Sequence, residues 1–361
     1  MTAATAAEGL PRTFDPRTNS LNLFRLVLAA MVLFAHAFYL DGRGIGPHIQ
    51  GENLGGLAVG GFFVLSGFLI TTSRFRNAVG DYIVLRVARI FPAFIVCLVL
   101  TATVLAPFAM WWEFRSLDGY LTTGPTPASY VWSNAGLLIN QYEIGRSLES
   151  VPYPRVWNGS LWTLYYEFAC YLLVGVIAVV GVVRRSPWPL AAMFALSVAV
   201  YATETQWAAL QLDERFFLLA KLLPYFLGGA VAYFVVARFG VPHVAGATAL
   251  VLAVASIVLV PRVGGQLAAP LLAWGLLWLS TVVPQPRWVA TNDISYGFYI
   301  YAWPVQQLGV LVGVSSLGFV AYLLLTAVGT AALAALSWFA VERPVMRAAH
   351  TRLRATRPAR A

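Results

Sequence analysis

The feature that most constrains this chain is its first long apolar run, Leu21 to Leu40, because two ionisable residues interrupt it. Arg25 stands near its start and His36 near its end, eleven positions later. At 1.5 Å and ~100° per residue, eleven helical positions bring a side chain back to nearly the same face, about 16 Å further along. A bilayer's hydrocarbon core is about 30 Å thick, so both groups would lie within or at the edge of one crossing. Ionisable groups inside a span are costly, face the protein interior and by default mark a pathway or a site. Two accounts stay open here: a functional stripe, or Arg25 reaching back to the headgroups while His36 bonds a neighbouring helix.

Composition supports the membrane setting. Of the 361 residues 59% are hydrophobic and 11% charged, which predicts an all-α, polytopic membrane protein. Aromatic residues make up 14% and include 12 Trp, enough for belts at two interfaces. Basic residues number 24, and all but Lys221 are Arg, for a net charge of +9. They are scattered between apolar runs rather than gathered on a soluble domain, so topology explains them and a nucleic-acid partner is not expected. Cys97 and Cys170 fall in apolar helical stretches and imply no disulfide framework. Of the four His residues only His36 lies well inside a span, so no metal is expected. The Ala35-His36-Ala37 tripeptide matches a signal-peptidase pattern, but the apolar run continues to Leu40, and a retained first span is expected.

Residues 1–20 lack a sustained period and read as a disordered cytoplasmic arm. A transmembrane domain is expected over 21–343 and a basic cytoplasmic tail over 344–361. The second span, about 57–72, carries Gly60, Gly61, Ser66 and Gly67, which permit close helix approach. The third, about 82–107, enters with Arg86 and Arg89 and contains Pro92. A long external segment, about 108–159, is rich in Pro and aromatics and long enough to suggest a functional role. Seven further windows, 160–183, 188–202, 216–237, 243–260, 267–283, 294–313 and 316–340, bring the expected number to about ten transmembrane helices. With both termini cytoplasmic, the inner side receives Arg74, Arg76, Arg86, Arg89, Arg184, Arg185, Arg238, Arg287 and the terminal arginines. The outer side then keeps only Arg43, Arg115, Arg146, Arg155, Arg215 and Arg262.

Glu167 is the second intramembrane anomaly. It follows Asn158-Gly159-Ser160, where Asn158 or Ser160 can cap a helix start, and would lie ~10 Å into the span. His36 sits at a compatible depth, so Glu167 could orient the imidazole as a general base, or could instead be a structural carboxyl bonded to Tyr or Trp. Arg86 and Arg89, at i and i+3, share a helix face at the same level as Arg25. Three guanidinium groups at one mouth suit phosphates, although positive-inside bias alone also places arginines there. Ser66 lacks the nucleophile-elbow context and reads as a packing residue, Lys221 as a snorkelling side chain, and Asp293 as a helix N-cap.

Taken together, these motifs resemble the acyltransferase-3 family of integral-membrane O-acyltransferases. The matching pieces are Arg25 with His36, Gly61-Phe62-Phe63-Val64-Leu65-Ser66-Gly67-Phe68-Leu69-Ile70, and Arg86-Val-Ala-Arg89-Ile-Phe-Pro92. Ser160-Leu-Trp-Thr-Leu-Tyr-Tyr-Glu167, Ile294-Ser-Tyr-Gly-Phe-Tyr-Ile-Tyr and Val341-Glu-Arg-Pro344 follow in family order. The resemblance implies transfer of an acyl group, commonly acetyl from cytoplasmic acetyl-CoA or another acyl-CoA, to a hydroxyl of an extracytoplasmic or lipid-linked saccharide. It implies a catalytic role for His36, donor handling by Arg25, Arg86 and Arg89, and a characteristic carboxylate at Glu167. Many relatives carry His two residues before the proline of the ninth-span motif, whereas Ala302 stands before Trp303-Pro304 here. The implied location is the inner or plasma membrane. The rival class is a transporter or flippase of a small or lipid-linked anion, with Arg25, Glu167 and His36 forming an ion path.

Overall fold

Helix α1 (Leu21–Leu40) runs between two partners, α2 (Leu54–Arg76) and α10 (Ser295–Leu311), and the rest of the molecule is arranged about these three. The computed structural model describes residues 14–15, 18–207 and 210–355. Most of the arm expected over 1–20, and the end of the basic tail, lie outside the described residues.

The chain then forms α3 (Val79–Phe114), α4 (Pro127–Asn134), α5 (Thr163–Ile177), α6 (Trp188–Ala202), α7 (Glu214–Phe239), α8 (His243–Leu259) and α9 (Ala269–Val282). It ends, after α10, in α11 (Phe319–Ala355). Five of these, α1, α2, α3, α7 and α11, are long and apolar enough to cross a membrane, and α5, α6, α8 and α9 are shorter apolar helices. Helix α2 packs on α7, α7 on α6 and α9, α9 on α8, and α10 on α11. The β structure among the described residues is one antiparallel pair, β1 (His48–Ile49) with β2 (Glu52–Asn53), in the loop after α1.

Glycine makes the α2–α7 contact possible. A Cβ on Gly67 would meet the Phe226 carbonyl oxygen at 1.9 Å, and one on Gly229 would meet the Val64 carbonyl oxygen at 2.0 Å. The two backbones therefore touch, as expected for small-residue packing of apolar helices. The outer faces stay apolar: Val27, Val251, Val320 and Val328 are exposed, while Ala29, Val32 and Leu33 are buried.

Two ends can be recognised from what gathers at each. At one, Ser20 Oγ donates to the Ser280 carbonyl (2.9 Å), Asn22 to that of Val289 (3.2 Å), and Gln285 to that of Asn19. At the other, Lys221 pairs with Glu52 (2.5 Å) rather than reaching freely to solvent, and Gln50 donates to the Val258 carbonyl (2.7 Å).

The long segment after α3 joins this second end and is ordered by side chains bonding main chain. Glu113 accepts from the Leu148 and Ser150 amides at 2.7 and 2.8 Å, and Asn134 Oδ1 from those of Asn140 and Gln141 at 2.8 and 3.1 Å. Trp157, fully buried, donates to Ser147 Oγ at 2.9 Å. Arg155 and Arg146 hold the Glu149 carboxyl below the usual carboxylate range by bonding it directly. These contacts keep an irregular chain firm enough to present Tyr153, Val156 and Gly159 to α10.

Several local expectations change. Helix α3 does not end near 107 but continues through a π turn at Thr101–Leu105 to Phe114. Neither Asn158 nor Ser160 caps α5, which starts at Thr163. Asn158 instead has φ 53°, is fully buried, and donates to Tyr130 Oη (2.7 Å) and Thr101 Oγ1 (3.1 Å). Its carboxamide has better partners in α3 and α4 than a helix end could supply.

Candidate functional site

Arg25 lies one turn into α1, at the end where Asn22 meets the stretch before α10. There its Nη1 bonds Asp293 Oδ2 at 2.7 Å. Arg89, on α3, places Nη2 on the same oxygen at 2.7 Å and Nη1 on Glu342 Oε2 at 3.1 Å. Glu342 reaches this point because α11 opens into a π turn at Trp338–Glu342, and Ser337 Oγ donates to its other oxygen at 3.0 Å. The Arg89 guanidinium also lies over the rings of Tyr296 and Trp338, at 5.6 and 5.9 Å. Asp293 is not the N-cap expected, since Ile294 takes that position; its Oδ1 accepts from Ser295 Oγ at 2.5 Å, and it is foremost the counter-ion of two arginines. Burial alone would raise its carboxyl, yet Arg25 and Arg89 outweigh that effect and hold it down at about 2.

Arg86 differs from its two neighbours. Its Nε is buried without a hydrogen-bond acceptor among the described residues. Its electrostatic surroundings are the hydroxyls of Tyr171 and Tyr82 and the charges of Arg89 and Arg25. The structure thus gathers Arg25, Arg86 and Arg89 as expected, engages two in ion pairs, and leaves the third without one among the described residues.

Beside Arg25 is a cavity of about 40 Å³, lined by Val59, Phe62 and Phe63 of α2, Thr163, Leu164 and Glu167 of α5, and Ser295, Tyr296 and Tyr299 of α10. It has room for two or three waters. Glu167 Oε1 accepts from Ser66 Oγ and Tyr171 Oη, both at 2.6 Å. Ser66 is therefore more than packing, since it holds the carboxylate across the α2–α5 contact. The expected pair between Glu167 and His36 does not form among the described residues. Glu167 belongs to the cavity on the Arg25 side, where Ser66 of α2 and Tyr171 of α5 hold its carboxylate.

His36 sits on the same buried stripe of α1, toward the opposite end. Between the two groups the stripe is apolar: Ala29 and Val32 are buried and pack in one cluster with Val59 and Phe63. The imidazole lies 4.9 Å from the Trp303 ring and 5.4 Å from that of Tyr39, centre to centre. Tyr153, from the long segment, meets both Trp303 (5.5 Å) and Tyr39 (5.8 Å). His36 Nδ1 is buried without a hydrogen-bond partner among the described residues. Trp303 is fixed by its Nε1 bond to the Val156 carbonyl (3.0 Å) and by Gly159, where a Cβ would strike the indole at 2.4 Å. Ala302 is buried and carries no group that could replace a histidine.

Sequence spacing thus placed Arg25 and His36 on one interior face, and brought the three arginines together. It did not reveal Asp293 and Glu342 as counter-ions, nor Trp303, Tyr39 and Tyr153 as the walls around the imidazole. The one available signal was the aromatic density of the segment around Tyr153 and of the Tyr299–Trp303 stretch. No group of three or more His, Cys, Asp or Glu able to hold a metal occurs among the described residues.

The chain resembles known proteins over most of its length. Residues 18–340 match the model of an acyltransferase domain. The chain is 28% identical over 339 residues to the O-acetyl transferase of Shigella phage Sf6, covering 91% of this chain and 96% of that one. It is 26% identical over 374 residues to nodulation protein 10 of Rhizobium leguminosarum bv. viciae, covering 91% and 93%. No solved structure matches.

Proposed function

The chain belongs to the acyltransferase-3 family and is a membrane O-acetyltransferase, and from that premise we propose how its two ends divide the reaction. The donor is cytoplasmic acetyl-CoA, or another short acyl-CoA, and the acceptor is a hydroxyl of an extracytoplasmic or lipid-linked saccharide. The protein crosses the inner or plasma membrane ten times with both termini cytoplasmic, which puts the arginine cluster on the donor side and His36 toward the acceptor side. The distribution of arginine along the chain supports this orientation.

Arg86 is the group that meets the phosphates of the donor. Buried, unneutralised guanidinium is a strong anion ligand because its charge is desolvated in advance and its donors lie in a fixed fork. Arg25, held by Asp293 through one nitrogen, presents its remaining N–H groups to the cavity and guides the pantetheine arm past Glu167. Arg89 acts through Asp293 and Glu342 and positions the other two. Glu167, fixed by Ser66 and Tyr171, orders the cavity wall rather than the imidazole.

At the other end His36 acts as general base. The acceptor O–H gives its proton to the imidazole as the oxygen attacks the thioester carbonyl; the C–S bond then breaks, and coenzyme A leaves as thiol with the proton returned from the imidazolium. Aromatic walls keep bulk water from this step, which otherwise would hydrolyse the donor. The apolar cluster of Ala29, Val32, Val59 and Phe63 lies along the stripe between Arg25 and His36, so the thioester reaches His36 when those side chains yield.

The observation that carries this proposal is the single buried stripe of α1 that joins a cationic mouth to a caged imidazole. The test is release of coenzyme A thiol by the purified protein in lipid nanodiscs. We expect release to require acceptor and to vanish in His36→Ala while acetyl-CoA binding, measured by equilibrium dialysis, persists. Full turnover by His36→Ala, or movement of unmodified saccharide into sealed vesicles without thiol release, would overturn it.

A further inference from the structure

Around Trp303 several buried polar atoms have no partner among the described residues: His36 Nδ1, Ser160 Oγ, Gln306 Oε1 and Gln307 Oε1. Gln306 and Gln307 are both fully buried. They lie three and four residues after Trp303, so they flank its ring on the same side of α10. Gln306 donates from Nε2 to the Leu33 carbonyl at 2.9 Å, one turn before His36 on α1. Gln307 donates from Nε2 to the Tyr153 and Val156 carbonyls at 2.7 and 3.0 Å. Main-chain carbonyls only accept, so these bonds fix both amides with nitrogen toward the backbone and oxygen free.

What the amides lack is therefore the same in each case. Each needs a hydrogen-bond donor, and buried polar groups in folded proteins almost always have one. The acetyl thioester itself carries no O–H or N–H, and the amide N–H groups of the pantetheine arm trail behind it toward the Arg25 end, so neither can satisfy them. Neighbouring hydroxyls on a sugar ring can, and the same ring would then lie against Trp303 with Tyr153 at its solvent side, where that tyrosine is partly exposed. We infer that Gln306 and Gln307 are the acceptor-selecting residues: their carbonyl oxygens receive two hydroxyl protons of the saccharide, which directs a further hydroxyl of the same sugar to His36.

This inference rests on the acyl-transfer proposal above, and its test separates the two. The probe is delipidated envelope polysaccharide from a strain lacking this chain, titrated with acetyl-CoA against enzyme in nanodiscs. Thiol release gives an apparent KM for each substrate. Gln306→Met and Gln307→Met keep the side-chain length and remove the free oxygen together with the Nε2 donor, and each is expected to raise the polysaccharide KM ~10-fold or more. The acetyl-CoA KM should change less than about twofold. Tyr153→Ala, at an exposed position, should also raise only the polysaccharide KM and reports the acceptor site without touching either amide, and if one glutamine variant fails to fold the other carries the assignment. Absence of polysaccharide-dependent release in the parent protein would defeat the transfer proposal itself. Parent turnover with unchanged polysaccharide KM in folded variants, or an equal rise in both KM values, would defeat the glutamine assignment alone and leave those oxygens to water.

Discussion

Arg86 and Arg89 stand three residues apart in one motif, yet their replacement should fail in different ways. Substitution by Met keeps most of the aliphatic stem, so the difference reports the guanidinium. Removing it from Arg89 leaves Asp293 with Arg25 alone and leaves Glu342, 1% exposed at its side chain, with only Ser337. Loss of one partner from a buried ion pair typically costs about 3–5 kcal/mol. At ~2 °C per kcal/mol for a large domain, that lowers the melting temperature by roughly 6–10 °C. Arg86→Met removes a charge whose Nε has no acceptor, so the fold should melt at or slightly above the parent temperature. Its effect falls on the donor: a hydrogen bond to a charged group is worth about 1.5–3 kcal/mol, or roughly 10- to 150-fold in acetyl-CoA KM. Tryptophan-monitored melts and thiol-release kinetics on detergent-purified protein read both quantities from one preparation. If Arg86→Met melts as low as Arg89→Met, or if Arg89→Met melts like the parent and raises donor KM alone, the division of roles is wrong.

Other expectations follow from the same contacts. His36→Gln should lower acceptor-dependent turnover by ~10²- to 10⁴-fold with little change in melting temperature, as judged by thiol release and the same melts. Ser66→Ala and Tyr171→Phe each take one of two short bonds from Glu167 and should destabilise by about 1–3 kcal/mol, with the double variant costing more than their sum. Gly67→Val, which sets a side chain into the Phe226 carbonyl, should abolish monodisperse folding in fluorescence-detected size exclusion. For Asp293 the folded carboxyl, at about 2, lies below its ordinary 3.8. Its contribution of about 2–3 kcal/mol is therefore complete above pH ~4 and lost as pH falls through ~2, so Asp293→Asn should lower the melting temperature equally from pH 5 to 8 and flatten the acid decline.

Much of the fold could be read from apolar runs because lipid-facing helices leave few other ways to satisfy a backbone. The common face of Arg25 and His36 followed from helical period alone, as did the grouping of Arg86 with Arg89. What escaped depends on partners far apart in the chain. Arg89 meets Asp293 across 204 positions and Glu342 across 253, and no local pattern announces either. Glu167 was expected at His36 because both lay at similar depths, but depth does not fix azimuth. The distant Ser66, with Tyr171 one turn on, holds that carboxylate away from the imidazole. The π turn that delivers Glu342 also leaves no trace in hydrophobic periodicity.

The charge at the donor mouth ties these pieces together. Arg25, Arg86 and Arg89 supply three positive charges, and the carboxylates that pair with them, Asp293 and Glu342, two negative ones, while Glu167 lines the same cavity but bonds Ser66 and Tyr171 instead. A wholly unpaired trio would repel itself in a low-dielectric interior, and a fully paired one would offer a phosphate nothing. Two carboxylates against three guanidinium groups leave the excess on one residue, Arg86, whose Nε is already buried and already unbonded. Adding an acid beside Arg86 should therefore mimic the bound anion: Ile83→Glu, three residues earlier on the same helix face, would raise the melting temperature of the empty enzyme while raising acetyl-CoA KM. Stabilisation without loss of donor affinity would mean the phosphates are bound elsewhere.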